Sequence, residues 1–148
     1  MQYQLSGLRE NGLFVSTLKG QEKHGQFTVR WSLELDLSLP STNELHVEIK
    51  ATIRANDGAQ QPVIGQFSAT HFFRLTDAPV LDEVLTDQQA SNFYATLVGI
   101  SLGTLRGLCY ARTFNVLGPG VFMPVINPTK FLHNSLRQKN QQVSPREQ

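Results

Sequence analysis

A strictly alternating run between residues 27 and 39 constrains the fold more than any other feature of this chain. Every odd-numbered position in it is apolar, and every residue between them is polar. Successive side chains of a β-strand point to opposite faces, so this pattern predicts a long strand with one buried face. The following residues, 40–43, read Pro-Ser-Thr-Asn and predict a turn.

The same alternation returns at residues 45–55 and, less regularly, at residues 63–75. An Asn-Asp-Gly sequence at residues 56–58 predicts a tight turn between these two strands. A fourth strand is expected near the start of the chain, at residues 3–9 and 13–17, with a break at residues 10–12.

The apolar period changes from strand to helix after residue 77. Thr86 followed by Gln89 fits a capping box, and we expect a helix from about residue 87 to 114. The Gly-Pro-Gly sequence at residues 118–120 predicts a loop, and Asn127 before Pro128 predicts the N-cap of a second helix that ends near residue 139. Strands that precede helices indicate an α+β fold, with a four-stranded antiparallel, meander-like sheet covered by the long helix.

Small residues recur at every fourth position of the long helix and form one smooth ridge. Glycine in a helix interior costs about 1 kcal/mol relative to alanine, so close packing must offset it. We expect this ridge to meet the sheet or a helix of another subunit. Its residues, and the candidate oligomer interface, are Ala95, Gly99, Gly103, Gly107 and Ala111.

The chain has 148 residues, of which 40% are hydrophobic and 17% charged, as expected for one globular domain. We assign residues 1–139 to this domain and expect residues 140–148 to be a polar, disordered tail. Residues 93–111 are long enough to resemble a membrane span, but they contain Arg106, so a buried helix is expected instead.

Charge and cysteine content make several protein classes unlikely. A net charge of +1 is too small to direct binding to nucleic acid or to a membrane. The single cysteine, Cys109, excludes an internal disulfide and a cysteine-based zinc cage. The first residues lack the basic and apolar regions of a secretory signal, so a cytoplasmic location is expected.

The residues that could carry catalysis are few and scattered. No two of the four histidines have the spacing of metal ligands, and we expect His71 to be a structural histidine with its hydrogen bonds satisfied. Cys109 lies in an apolar helix and is expected to pack as a small hydrophobic residue. We therefore predict no enzymatic activity, no catalytic residues, no metal and no cofactor.

Aromatic residues are more informative than the polar ones. Phe72 and Phe73 are adjacent on one strand, so their rings must point to opposite faces of the sheet. Phe114, Phe122 and Met123 lie around the glycine-containing loop. This pattern leaves two alternatives open: a two-sided sheet with an oligomer contact, or an apolar groove that binds other chains.

Five segments together resemble the SecB chaperone family. They are the Leu-Glu-Leu-Asp-Leu strand at residues 33–37, residues 45–55, residues 66–75, the Leu-Arg-Gly sequence at residues 105–107, and residues 123–131. The similarity spans about residues 27–135, and the segments occur in the family's order with similar gaps.

The resemblance implies a homotetramer, a dimer of dimers in which the long helices pack across subunits. It also implies ATP-independent holding of unfolded polypeptides in a groove between the sheet, the second helix and its loop. The candidate client-binding residues carried over by position are Trp31, Leu33, Leu35, Phe72, Phe73, Val121, Phe122, Met123 and Val125.

Members of the family that serve export dock the motor ATPase SecA through carboxylates on the exposed sheet face. The central position is Gln66 in this chain, so SecA binding is not predicted. An adaptor or dedicated chaperone for one partner, such as an antitoxin, remains a second hypothesis. An enzyme of hot-dog type is a third, but in that fold the helix follows the first strand.

Overall fold

The computed structural model describes residues 1–15, 28–56, 61–118 and 121–143. Within these residues, strands precede the two long helices, as predicted. The elements are β1 (Gln2–Val15), β2 (Val29–Ser41), β3 (Glu44–Ala55), β4 (Val63–Thr76), a short 3₁₀ helix (Leu81–Glu83), α1 (Gln88–Leu117) and α2 (Pro128–Val143).

The four strands form one antiparallel sheet in the order β1-β4-β3-β2. The meander expected from the sequence extends over β2, β3 and β4. β1 lies beside β4 instead of β2, which makes the topology a Greek key. β4 therefore has a neighbour on each side, and β1 and β2 are the two edges of the sheet.

One face of the sheet carries the core. In β3, every apolar residue of the alternating run points to this face and is fully buried, namely Leu45, Val47, Ile49, Ala51, Ile53 and Ala55. Helix α1 covers this face with residues such as Leu97, Val98 and Leu105, which are also fully buried. The other face carries the polar half of each strand.

β1 is one continuous strand and not two segments. The break predicted at residues 10–12 is instead a shift of register against β4 between Glu10 and Gly12, and a second shift lies between Leu5 and Gly7. Each register shift adds one unpaired residue to β1, and such a residue bends a strand without ending it. The parts of the predicted first two strands at residues 16–17 and 27 lie outside the described residues, as does most of the turn predicted at residues 56–58.

The start of α1 differs by one residue from the capping box predicted at Thr86. The carboxylate of Asp87 accepts a hydrogen bond from the backbone N–H of Ala90 at 2.7 Å, and Thr86 Oγ1 donates instead to the Glu83 carbonyl oxygen. Asp87 is the N-cap because its side chain, one position later, reaches the first free N–H groups.

The other helix ends lie within four residues of the positions predicted from the sequence. Asn127 caps α2, since its Oδ1 accepts from the backbone N–H of Lys130 at 3.1 Å. Helix α1 ends at Leu117 because Gly118 adopts a positive φ of 83°. Helix α2 continues to Val143, four residues beyond the predicted end. The predictions for residues 119–120 and 144–148 lie outside the described residues.

Candidate functional site

An apolar row follows the edge strand β2 on the helix-covered side of the sheet. Trp31, Leu33 and Leu35 lie opposite Ile53, Ala51 and Ile49 of β3. Leu35 is buried, whereas Trp31, Leu33 and the next residue of the row, Leu37, are only half-buried. These four residues of β2 are called the β2 row below, and they bring the apolar core to the surface at the edge of the sheet.

Helix α2 borders the β2 row. Its Leu132 is fully buried, and its Phe131 and Leu136 are partly buried against the core. Near its C-terminal end, Lys139 Nζ forms an ion pair with the carboxylate of Asp36 on β2. The border between β2 and α2 is therefore apolar in its depth and polar at its rim.

Phe72 and Phe73 point to opposite faces of the sheet, as predicted, and neither lies beside the β2 row. Phe73 is opposite Leu45 and is fully buried in the core. Phe72 is half-buried on the polar face, where its ring centroid is 4.6 Å from that of His46 and 5.5 Å from the Arg9 guanidinium carbon. β3 separates both residues from β2.

The loop between the helices alternates buried and exposed side chains. Val121 and Met123 are buried, whereas Phe122 is 51% exposed and Val125 is 81% exposed. Arg106 holds this loop against α1 because its Nε donates a hydrogen bond to the Met123 carbonyl oxygen at 3.0 Å. Of the candidate residues in the loop, Val121 and Met123 therefore anchor it to the core, whereas Phe122 and Val125 reach the solvent.

The small-residue ridge of α1 also has a packed part and an exposed part. Ala95 is buried, and a Cβ atom on Gly99 would lie 3.5 Å from Pro128 Cγ, so this end of the ridge packs within the chain. A Cβ atom on Gly103 or Gly107 would meet no atom within 4 Å, and Ala111 is exposed. Among the described residues, nothing packs on the C-terminal half of the ridge.

A cavity of about 200 Å³ separates α1 from the loop beside this ridge. Gly99 and Gly103 form its floor, and Met123, Val125 and Ile126 contribute to its walls. The absence of side chains on the two glycines is what leaves this space open.

His71 is fully buried on the core face of β4, and neither ring nitrogen has a hydrogen-bond partner among the described residues. His71 is therefore a buried residue of the core, as expected of a structural histidine, but the expected hydrogen bonds to its ring nitrogens are absent among the described residues. Burial lowers the pKa of His71, and the nearby Val47 backbone opposes this lowering only in part. The physical consequence is a neutral imidazole in the core, whose ring centroid lies 6.5 Å from that of Phe73.

Cys109 is buried on the core side of α1, as predicted. Burial raises the pKa of its thiol to about 12, so the sulfur stays protonated at neutral pH. Among the residues that the structure describes, no three His, Cys, Asp or Glu side chains are grouped so that they could hold a metal ion. No helix in this part of the chain is long and apolar enough to cross a membrane.

Sequence reasoning missed an exposed apolar row on β1. Tyr3, Leu5 and Leu8 lie opposite Leu75, Phe73 and His71, and each is more than 40% exposed. All three point to the helix-covered side of the sheet, where α1 covers them only in part. The Phe93 ring of α1 lies 6.1 Å from the Tyr3 ring, edge to face. Since the register shift after Leu5 changes the spacing from two residues to three, a search for strict alternation does not detect this row.

No family model and no curated protein matches the chain. Among solved structures, it is similar to the Mycobacterium tuberculosis Rv1957 SecB-like chaperone in complex with a ChAD peptide from the Rv1956 HigA1 antitoxin. The TM-score is 0.61 at 15% sequence identity, over 84% of this chain and 90% of that chain. A protein of unknown function from Streptococcus agalactiae matches 84% of this chain and 94% of its own at 13% identity, but its TM-score of 0.34 is too low to support an argument. The chain has the fold of a SecB-like chaperone, as the resemblance in sequence predicted.

Proposed function

We propose that this chain, which has a SecB-like fold, is an ATP-independent chaperone that holds non-native polypeptides. The observation that carries the proposal is the half-buried β2 row at the border with α2. Apolar side chains left at the surface of a folded domain mark sites for other chains. An unfolded polypeptide exposes the complementary apolar residues.

We expect four of the candidate residues to touch a bound polypeptide directly. Trp31 and Leu33 contribute half-buried surface on β2, and Phe122 and Val125 contribute exposed surface on the loop. The buried candidates Leu35, Val121 and Met123 would act by supporting these side chains. Phe73, which is buried on β4 away from the β2 row, would act only through the stability of the core. Phe72, on the opposite face, would require a second contact of the polypeptide with the sheet.

We also propose that the chain works as a homotetramer, a dimer of dimers. Two uncovered surfaces support this part of the proposal. The first is the open half of the α1 ridge at Gly103, Gly107 and Ala111, which allows another helix to approach closely. The second is β1, an edge strand in the described part of the chain, with exposed Tyr3 and Leu5, since an apolar strand edge favours association.

A dedicated chaperone for a single partner, such as an antitoxin, is the second candidate. The neutral Gln66 on the polar face favours it, because this position lacks the carboxylate through which SecA would dock. The similarity to a chaperone solved with an antitoxin peptide also supports it. In either case we place the activity in the cytoplasm, where an unpaired cysteine stays reduced.

The test is suppression of aggregation of a chemically denatured protein by the purified chain without ATP, with the mass measured by light scattering. Suppression near one tetramer per client is expected for a general chaperone. A folded tetramer that suppresses no unrelated client, but binds one partner in a pull-down, would favour the dedicated role. A folded chain that binds no non-native polypeptide at all would overturn both.

A further inference from the structure

Two residues of β1 that have no register partner organise the polar face of the neighbouring strand β4. They are Ser6 and Asn11, which lie at the two register shifts of β1. Ser6 Oγ donates a hydrogen bond to the Phe72 carbonyl oxygen at 3.1 Å. Asn11 Nδ2 donates to Thr70 Oγ1 at 2.7 Å. β4 thus fixes the Asn11 amide, and its oxygen stays available as an acceptor.

That amide oxygen holds the guanidinium group of Arg9. Arg9 Nε donates a hydrogen bond to Asn11 Oδ1 at 2.9 Å, and the guanidinium carbon lies over the Phe72 ring, 5.5 Å from its centroid. His46 fixes this ring in turn, since it meets the ring edge to face with centroids 4.6 Å apart. Arg9 is therefore held by two contacts although the residue is exposed.

The terminal nitrogens of Arg9 form a planar fork that can bind a carboxylate through two parallel hydrogen bonds. In the part of the chain that the structure describes, neither terminal nitrogen donates a hydrogen bond and no carboxylate pairs with Arg9. A side chain that is already held in one orientation loses less conformational entropy on binding than a free one does. Arg9 is thus oriented for a carboxylate from outside the described residues.

The charges of the polar face differ between its two halves. On β1 and β4, the charged side chains of this face are Arg9 and Arg74, and both are cationic. On β2 and β3, charges of both signs are mixed, namely Glu34, Asp36, Glu44 and Glu48 with Arg30, Lys50 and Arg54. The β1–β4 half is therefore the one complementary to a segment that carries carboxylates.

An exposed aromatic side chain lies on the same half of the face. Phe14 is opposite Gln66 of β4 and is 46% exposed. Arg9 is opposite Thr70, four positions further along β4, so Phe14 and Arg9 are about 13 Å apart along the sheet. Aromatic residues and arginine are among the side chains that most often anchor a protein partner.

We propose that the β1–β4 half of the polar face is a docking site for an acidic segment of a partner protein. One carboxylate of the segment binds the Arg9 fork, a second lies towards Arg74, and an apolar side chain covers Phe14. The site is on the face opposite to the β2 row, so it does not depend on the proposed function. A nucleic acid is less suited to it, because Arg9 already covers the Phe72 ring on which a base would stack.

The test is fluorescence anisotropy of a labelled peptide, Leu-Ser-Thr-Ser-Glu-Ser-Glu, with the full chain. In an extended peptide, the leucine and the first glutamate are about 13 Å apart, which matches the separation of Phe14 and Arg9. The same peptide with both glutamates replaced by glutamine is expected to bind at least about tenfold more weakly, because it loses the charge-assisted hydrogen bonds. Equal affinities, or no binding of either peptide, would overturn the proposal. This comparison uses the unmodified chain.

A conservative variant tests Arg9 itself. Arg9→Lys keeps the charge but removes the planar fork, so it is expected to weaken binding of the acidic peptide about fivefold. Arg137→Lys makes the same exchange at an exposed position of α2 and should leave the affinity unchanged. Circular dichroism checks that both variants are folded. Equal affinities of the two folded variants would overturn the role of Arg9.

A labelled single-stranded oligouridine distinguishes the class of partner. It is expected to bind the unmodified chain more weakly than the acidic peptide does. Tighter binding of the oligouridine that is weakened by Arg9→Lys would overturn the assignment of this site to a protein segment.

Discussion

The ring of Phe122 stacks on the ring of Tyr110, with centroids 4.8 Å apart and planes inclined by only 7°. Tyr110 belongs to α1, so the helix supports one face of the Phe122 ring and leaves the side chain 51% exposed. The hydrogen bond from Arg106 to Met123 fixes the backbone of the same loop. A large aromatic side chain is thus held in place at the surface, where it can anchor a partner.

Phe122→Asp is expected to weaken binding of a non-native polypeptide about tenfold, the effect of losing one aromatic anchor. The fold should persist because the side chain is half exposed. Val143→Asp, at an exposed site near the end of α2, is the control and should leave affinity unchanged. Titration of a denatured client with both variants measures this, and unchanged affinity in a folded Phe122→Asp protein would refute the role of Phe122.

Gly103→Leu is expected to lower the mass of the assembled protein because it fills the open half of the α1 ridge. The isolated chain should tolerate the change, since a Cβ atom at this position meets nothing within 4 Å. Asn134→Leu places a leucine at an exposed position of α2, away from the ridge, and should leave the mass unchanged. Light scattering that finds a full tetramer for Gly103→Leu would contradict the proposed role of the ridge.

His71 should make the free energy of unfolding depend on pH. Burial lowers its pKa in the folded chain, whereas the unfolded chain keeps the ordinary value of 6.5. Below about pH 6.5 the unfolded state binds more protons, so the stability present above this pH is lost as the pH falls towards the folded pKa. Each unit of lowering corresponds to about 1.4 kcal/mol.

Urea denaturation at pH 7.5 and pH 5.0 measures this loss. His71→Leu should lose less stability between the two pH values than the wild-type chain does. Phe67→Leu changes another buried residue of β4 without removing a titratable group and should retain the wild-type loss. Identical losses in His71→Leu and the wild-type chain would show that the His71 imidazole is not the group responsible.

Asp87→Ala should destabilise the chain by about 1 kcal/mol, because it removes the acceptor for the Ala90 N–H at the start of α1. Thr86→Ala should cost less, since its hydroxyl bonds to the Glu83 carbonyl oxygen and not to the free N–H groups of α1. Thermal unfolding of the two variants compares them. A larger loss for Thr86→Ala would favour the capping box inferred from sequence.

Local patterns predicted the elements of the fold well. The alternation in β2 and β3, the opposed rings of Phe72 and Phe73, and the cap at Asn127 each depend on residues a few positions apart. The pairing of β1 with β4 was not predictable in this way, because it joins residues 50 or more positions apart. The burial of His71 without a partner also depends on residues brought together by the sheet.

The amino-acid sequence by itself determined the order of strands and helices and the face of each strand that is apolar, because side-chain direction follows from the period of the pattern. Only the tertiary structure decided which apolar residues remain at the surface. Trp31, Phe73 and Phe122 are all large aromatic residues, yet Phe73 lies on a central strand beneath α1, Trp31 on an edge and Phe122 on a loop. Exposure depends on what covers a residue, and that is set by strand order and helix packing across the whole chain.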